Sequence, residues 1–132
     1  FYPEQCAVFI GYDEALAHAI YAGADFLLMP SRVEPCGLNQ LYSLRYGTLP
    51  MVRNTGGLHD SVIDFGDEGG YGIRFNHASV EDICISITRA IHLYNNSKHL
   101  NSLRKLMMGL DFSWVRSAKE YITLYESLNP TI

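Results

Sequence analysis

Positive charge is scarce in this sequence. Ten Lys and Arg stand against fourteen Asp and Glu in 132 residues, a formal net charge of -4. Nowhere do basic residues run together, which excludes the phosphate-tracking face of a nucleic-acid binder. Cysteine is scarcer still: Cys6, Cys36 and Cys84 are odd in number, far apart and without the spacing of metal ligands. They argue against a disulfide framework and against a thiolate zinc site, and read as free thiols in a reducing compartment. No apolar run approaches the roughly 20 residues that span a bilayer, so no membrane segment is expected. Internal repeats, low-complexity tracts and a Pro/Gly/Ser-rich linker are missing too, and residues 1–132 read as a single domain. The opening residues, Phe1-Tyr2-Pro3, carry neither an initiator methionine nor a signal-peptide pattern. The expectation is a piece of a longer protein.

What the chain does have is 48% hydrophobic residues, enough for a core. The run Ala7-Val8-Phe9-Ile10 predicts a buried strand. Asp13 caps a helix ending at Gly23, with Leu16, Ala19 and Ile20 facing inward. Residues 25–30 predict a second strand, residues 38–46 a helix closed by Gly47, and residues 49–52 a third strand. After a glycine-rich stretch, residues 72–75 predict a short fourth one. Ser79, with Asp82 three residues on, predicts a capping box. A helical stripe follows at Val80, Ile83, Cys84, Ile87, Ala90 and Ile91. Leu100, Leu103, Met107 and Leu110 repeat the pattern. Ser113 opens a last helix with Trp114, Ala118, Tyr121, Tyr125 and Leu128 on one face. Strands alternating with helices predict an α/β fold: a Rossmann-like, three-layer parallel sheet with helices at its C-terminal end.

One stretch carries the chemistry. Ser31-Arg32-Val33-Glu34-Pro35-Cys36-Gly37-Leu38-Asn39-Gln40 follows the second strand and enters a helix. In a doubly wound sheet, ligands sit beyond the carboxyl ends of strands and face helix N-termini. The N–H groups of Gly37, Leu38 and Asn39 would point out of that helix end and form an anion site. Glu34 places a carboxylate beside it, a pairing suited to a ligand with both phosphate and hydroxyls. Taken alone, Glu34 could equally be a solvated loop residue and Cys36 a small buried hydrophobe. Thr55-Gly56-Gly57 forms a second loop at the same sheet edge. Its paired glycines permit positive φ and close approach to a ligand, or make a plain turn. Arg32 and Arg53 stand near the two loops, placed either to steer a diphosphate or to pair with Glu34 or a loop carbonyl. His18 reads as packing, and the other histidines lack metal-ligand spacing.

Residues 30–40, then Tyr46-Gly47-Thr48-Leu49-Pro50 and Thr55-Gly56-Gly57-Leu58, resemble the bacterial glycogen synthase and plant starch synthase family. The resemblance runs from Gly11-Tyr12-Asp13-Glu14 to Asp111-Phe112-Ser113-Trp114, most of the chain. It implies a GT-B glycosyltransferase of two Rossmann-like halves, of which this chain is the later part of the C-terminal, donor-binding half. It also implies transfer of glucose from ADP-glucose to the non-reducing end of an α-1,4-glucan, with retention and without a cofactor or an obligatory metal. The partners implied are ADP-glucose or ADP and a glucan held mainly by the N-terminal half, in a bacterial cytoplasm or a plant plastid.

On single residues, the resemblance implies that Glu34 is the active-site carboxylate that holds donor glucose hydroxyls. Cys36, Gly37 and Leu38 form the loop and helix start that meet the donor's phosphates or sugar. Thr55, Gly56 and Gly57 form the second donor-side loop, and Tyr12 stacks on or near the adenine. Two departures stand out. Related transferases often carry a second glutamate where this chain has Tyr42. The family's phosphate-binding Arg and Lys lie upstream of Phe1, and the first lysine here is Lys98. The residues present are therefore expected to be inactive on their own. Two other readings remain: a non-catalytic nucleotide- or glucan-binding paralogue, and another GT-B transferase with a different sugar-nucleotide donor.

Overall fold

The computed structural model describes residues 2–128. Three short apolar runs pair as parallel strands β1 (Phe26–Met29), β2 (Leu49–Arg53) and β3 (Ile73–Phe75), in the order β1-β2-β3. Phe26 lies opposite Leu49 and Met29 opposite Val52, while Met51 lies opposite Ile73 and Arg53 opposite Phe75. Parallel strands need crossovers. Helices α1 (Glu14–Gly23), α2 (Asn39–Tyr46), α3 (Gly56–Ser61), α4 (Val80–Tyr94), α5 (Ser97–Met108) and α6 (Trp114–Leu128) complete the chain. The architecture is α/β, as the alternation predicts.

The helix ends follow local chemistry. The Asp13 carboxylate accepts from the Leu16 N–H at 2.9 Å and starts α1. Gly47 takes the left-handed conformation, φ 78°, and closes α2. Ser79 Oγ accepts from the Asp82 N–H at 3.1 Å and starts α4. Asp82 makes only half of a capping box: its carboxylate accepts from the N–H groups of Asn76 and His77 and so holds the turn after β3. The Thr48 hydroxyl bonds the carbonyls of Tyr21 and Ala24, tying the end of α1 to the start of β2.

Alternation along the strands divides the core. Leu49 and Met51 join Ile73, Leu44 and the inner residues of α4 and α5. Val52 and Met29 pack with Leu58 and Val62 on the other face. Leu49, Val52, Leu58, Val62 and Ile73 are fully buried; each contributes about 1.5–3 kcal/mol from removal of its side chain from water.

Four expectations are corrected. Residues 7–10 form no strand, and Val8, Phe9 and Ile10 lie exposed, because no described strand offers them a ladder. In α1 the buried residue is Tyr21, with Leu16, Ala17 and His18 half-buried; Leu16 thus faces inward as expected, whereas Ala19 and Ile20 face solvent. In α4 Ala90 of the expected stripe is buried and Ile83 half-buried, but their inward neighbours are Ser86 and Leu93 instead of Cys84, Ile87 and Ile91. Ile87 and Ile91 border an open apolar hollow of about 400 Å³ beside Phe26 and Met51, along β1, which is an edge strand. Finally, α6 is amphipathic but buries none of its residues; Trp114 is 84% exposed.

Candidate functional site

Because the strands are parallel, the carboxyl ends of β1, β2 and β3 deliver their loops to one edge. The first of these loops carries Glu34, the second Thr55, Gly56 and Gly57, the third Asn76. The Glu34 side chain is half-buried, and the Ser31 hydroxyl donates to its Oε2 at 3.4 Å. Gly37 has φ 75°, a left-handed turn that a side chain would strain. The chain then enters α2 at Leu38 with no side-chain cap and no acidic residue in the first turn. The positive end of that helix dipole is therefore left to whatever approaches it.

The glycines of the second loop have a tighter task than expected. Gly56 has φ 46°. A Cβ on Gly56 would collide with the Glu34 carbonyl oxygen, and one on Gly57 with the Cys36 backbone. The Gly57 N–H donates to the Glu34 carbonyl at 3.1 Å. The close approach made at these glycines is between the two loops themselves, and the Gly57 N–H is engaged in it.

Arg53 resolves its alternatives in favour of carbonyls. Its Nη1 donates to Arg32 O at 2.5 Å and to Ser31 O at 3.4 Å, and its Nε to Asn76 O at 3.1 Å. It thus straps the Glu34 loop to the end of β3 instead of reaching outward. Arg32 supplies a carbonyl to that strap while its side chain stays exposed. Beyond it, His59 Nδ1 lies 2.6 Å from Asn54 Oδ1, and Asn54 Nδ2 donates to Asn76 Oδ1 at 3.3 Å.

Tyr12 is exposed and lies on the rim of a hollow of about 400 Å³, lined also by Asp13, His18, Tyr21, Asn39 and Tyr42. Leu38 borders the same hollow, so it abuts the uncapped start of α2. His18 packs among Tyr21, Tyr42 and Tyr46 and hydrogen-bonds the Tyr46 hydroxyl at 3.1 Å. Tyr42, in the place of a second glutamate, gives this hollow an aromatic wall. Cys36 is exposed, its Sγ 3.6 Å from the Gly37 carbonyl. Among the described residues no three His, Cys, Asp or Glu side chains converge as a metal site requires.

The role of Gln40 was not expected from the sequence, whereas Arg53 takes the carbonyl partners that were one of its two alternatives. Gln40 sits six residues after the carboxylate in the same motif, and its polarity on an inward helical position is the signal that could have found it.

No protein-family model matches the chain. The glycogen synthase of Flavobacterium johnsoniae is 60% identical over 118 residues, 89% of this chain and 25% of the relative. That of Rhodospirillum rubrum is 56% identical over 128 residues, 96% of this chain and 26% of the relative. Among solved structures, the catalytic domain of starch synthase IV from Arabidopsis thaliana, bound to ADP and acarbose, superposes with a TM-score of 0.79. It is 40% identical, over 89% of this chain and 25% of that one. This chain spans about a quarter of the length of the relatives it matches. Over that quarter it is similar in sequence to bacterial glycogen synthases and in both sequence and fold to the catalytic domain of a plant starch synthase.

Proposed function

We propose that this chain is the later part of the donor-binding half of a retaining glucosyltransferase, which moves glucose from ADP-glucose to the non-reducing end of an α-1,4-glucan. The observation that carries this reading is a half-buried carboxylate, Glu34, three residues ahead of the left-handed Gly37 and the uncapped start of α2. Departure of a nucleoside diphosphate puts negative charge near a helix N-terminus and leaves positive charge on the glucosyl ring. Fixed N–H dipoles favour the first and a nearby carboxylate the second. In this reading Glu34 holds donor hydroxyls. Cys36, Gly37 and Leu38 line the phosphates, and Tyr12 on the adjoining aromatic hollow offers a face to the base. Thr55, Gly56 and Gly57 serve the donor chiefly by holding the Glu34 loop. The starch synthase neighbour, with ADP and acarbose bound, supports both nucleotide and glucan as ligands. The remaining phosphate contacts and the acceptor site fall to parts of the full-length enzyme other than these residues. The reaction needs no cofactor, and free thiols fit a reducing compartment such as a bacterial cytoplasm.

The test is Glu34→Gln in the full-length enzyme, which keeps size and hydrogen bonding but deletes charge. The loss is expected in kcat, on the order of 10²–10³-fold, with ADP affinity by calorimetry little changed. A near-wild-type kcat would remove Glu34 from the role. Lost ADP binding with an intact fold would make it a brace for the loop.

A further inference from the structure

Gln40 is fully buried, whereas every other residue of the 31–40 motif is half-buried or exposed. Its carboxamide nitrogen donates to the carbonyls of Cys36 at 3.1 Å and Gly37 at 2.8 Å, and to Ser61 Oγ at 3.0 Å. Ser61 Oγ passes the contact on to the Gly57 carbonyl at 2.6 Å, and the Tyr71 hydroxyl donates to the Ser61 carbonyl at 3.0 Å. The chain of bonds runs from β3's approach through α3 into the loop that carries Glu34. Gln40 Oε1, also buried, has no hydrogen-bond partner among the described residues.

A buried polar group with half its capacity unused is costly, and an apolar side chain of equal length would avoid the cost. What glutamine supplies, and an apolar residue cannot, is two N–H donors, one shared by the two carbonyls of the Glu34 loop and one aimed at Ser61 Oγ at the end of α3. We propose that Gln40 is the positioning residue of this site: its amide clasps the Glu34 loop to the end of α3 and makes them one rigid body. The two carbonyls it holds lie just past Glu34 and set both the left-handed turn at Gly37 and the direction in which α2 begins. Gly56 and Gly57, pressed against Glu34 and Cys36, form the other side of the clasp. As a role in catalysis, this rests on the reading of Glu34 given above. The clasp itself is a separate matter of structure.

Two measurements on the full-length protein test it. Gln40→Met keeps length and removes both donors; Ser61→Ala cuts the same clasp from its far end without altering the buried glutamine. Misplacement of a working group by about an ångström costs on the order of 10²-fold. Gln40→Met should therefore lower kcat by roughly that factor, with a smaller change in KM for ADP-glucose. If it acts through Glu34, adding it to Glu34→Gln should cost less than about threefold more. An equal loss in both backgrounds would mean general weakening of the fold and would overturn the positioning role.

The second readout needs no activity: the rate at which iodoacetamide alkylates Cys36, followed by peptide mass spectrometry. Both variants should speed Cys36 several-fold and leave the exposed Cys6 and Cys84 unchanged. Unaltered Cys36 rates in both variants would overturn the clasp. If Glu34→Gln alone keeps the wild-type rate, the assignment of Glu34 has failed, and the Cys36 rates still decide the clasp.

Discussion

Tyr12 is 91% exposed, and nothing in the fold requires an aromatic there. A large ring held at the mouth of an aromatic hollow suits stacking on a flat partner, a contact of about 1–3 kcal/mol per base. Tyr12→Ala in the full-length enzyme is expected to raise the apparent KM for ADP-glucose on the order of tenfold while changing kcat less. An unchanged KM would take Tyr12 out of the site. At this scale the position of Glu34, in a loop just ahead of a helix start, could be read from sequence because strand, loop and helix start are local signals, whereas the left-handed turn at Gly37 was not expected. The task of Gln40 could not be read, and for Arg53 a loop carbonyl was only one of two alternatives, with its partners unnamed. Each depends on carbonyls 21 to 23 residues away or on a distant hydroxyl, and side-chain identity alone does not name such partners.

Among the elements, the link between the 64–72 loop and α4 carries the clearest electrostatic signature. Arg89 grips the Asp64 carboxylate with both nitrogens, at 2.9 and 2.5 Å, and its guanidinium lies 4.7 Å from the centre of the Phe65 ring. Burial pushes the Asp64 carboxyl up. The bonds from Arg89 and from the N–H groups of Arg74 and Gly66, with the Arg89 charge, outweigh it and hold the group below its ordinary 3.8. A carboxyl lowered by folding adds stability above its unfolded value, and that stability drains as pH falls through the folded one. Asp64→Asn should therefore cost about 1.5–3 kcal/mol near neutral pH. The gap between variant and wild type should narrow below about pH 4. Denaturant titrations of the full-length protein at both pH values check this; an equal gap at each would discount the charge. Element boundaries were largely legible because caps and apolar runs are local signals, as at Asp13, Gly47 and Ser79. Partners were not. The periodicity of α6 and the apolar character of residues 7–10 announce faces to be covered, but say nothing of what covers them, and within residues 2–128 nothing does. In α4 the small Ser86 and Ala90 lie inward because β3 and α5 approach there, a fact of packing that hydrophobicity ranks in the wrong order.

At the scale of the molecule, the three carboxyl ends of the sheet concentrate every candidate site residue except Tyr12, whose hollow adjoins them. Catalysis there, as proposed, draws on N–H dipoles and one carboxylate. Transfer by the full-length enzyme is therefore expected to survive EDTA, and loss of activity restored by a single divalent ion would contradict this. The contact of Gly56 and Gly57 with Glu34 and Cys36 has a bearing on how this sequence can drift over time. The spacing between the two loops is set by a hydrogen atom, so no side chain, however small, is a conservative replacement at either position. Exchange of the half-buried Glu34 for an isosteric amide is expected to leave a folded protein, whereas the glycines opposite it admit no such intermediate. A lineage that abandoned the reaction would thus be free to lose its carboxylate long before it could lose the two glycines, and their persistence in a homologue is a record of the fold rather than of activity.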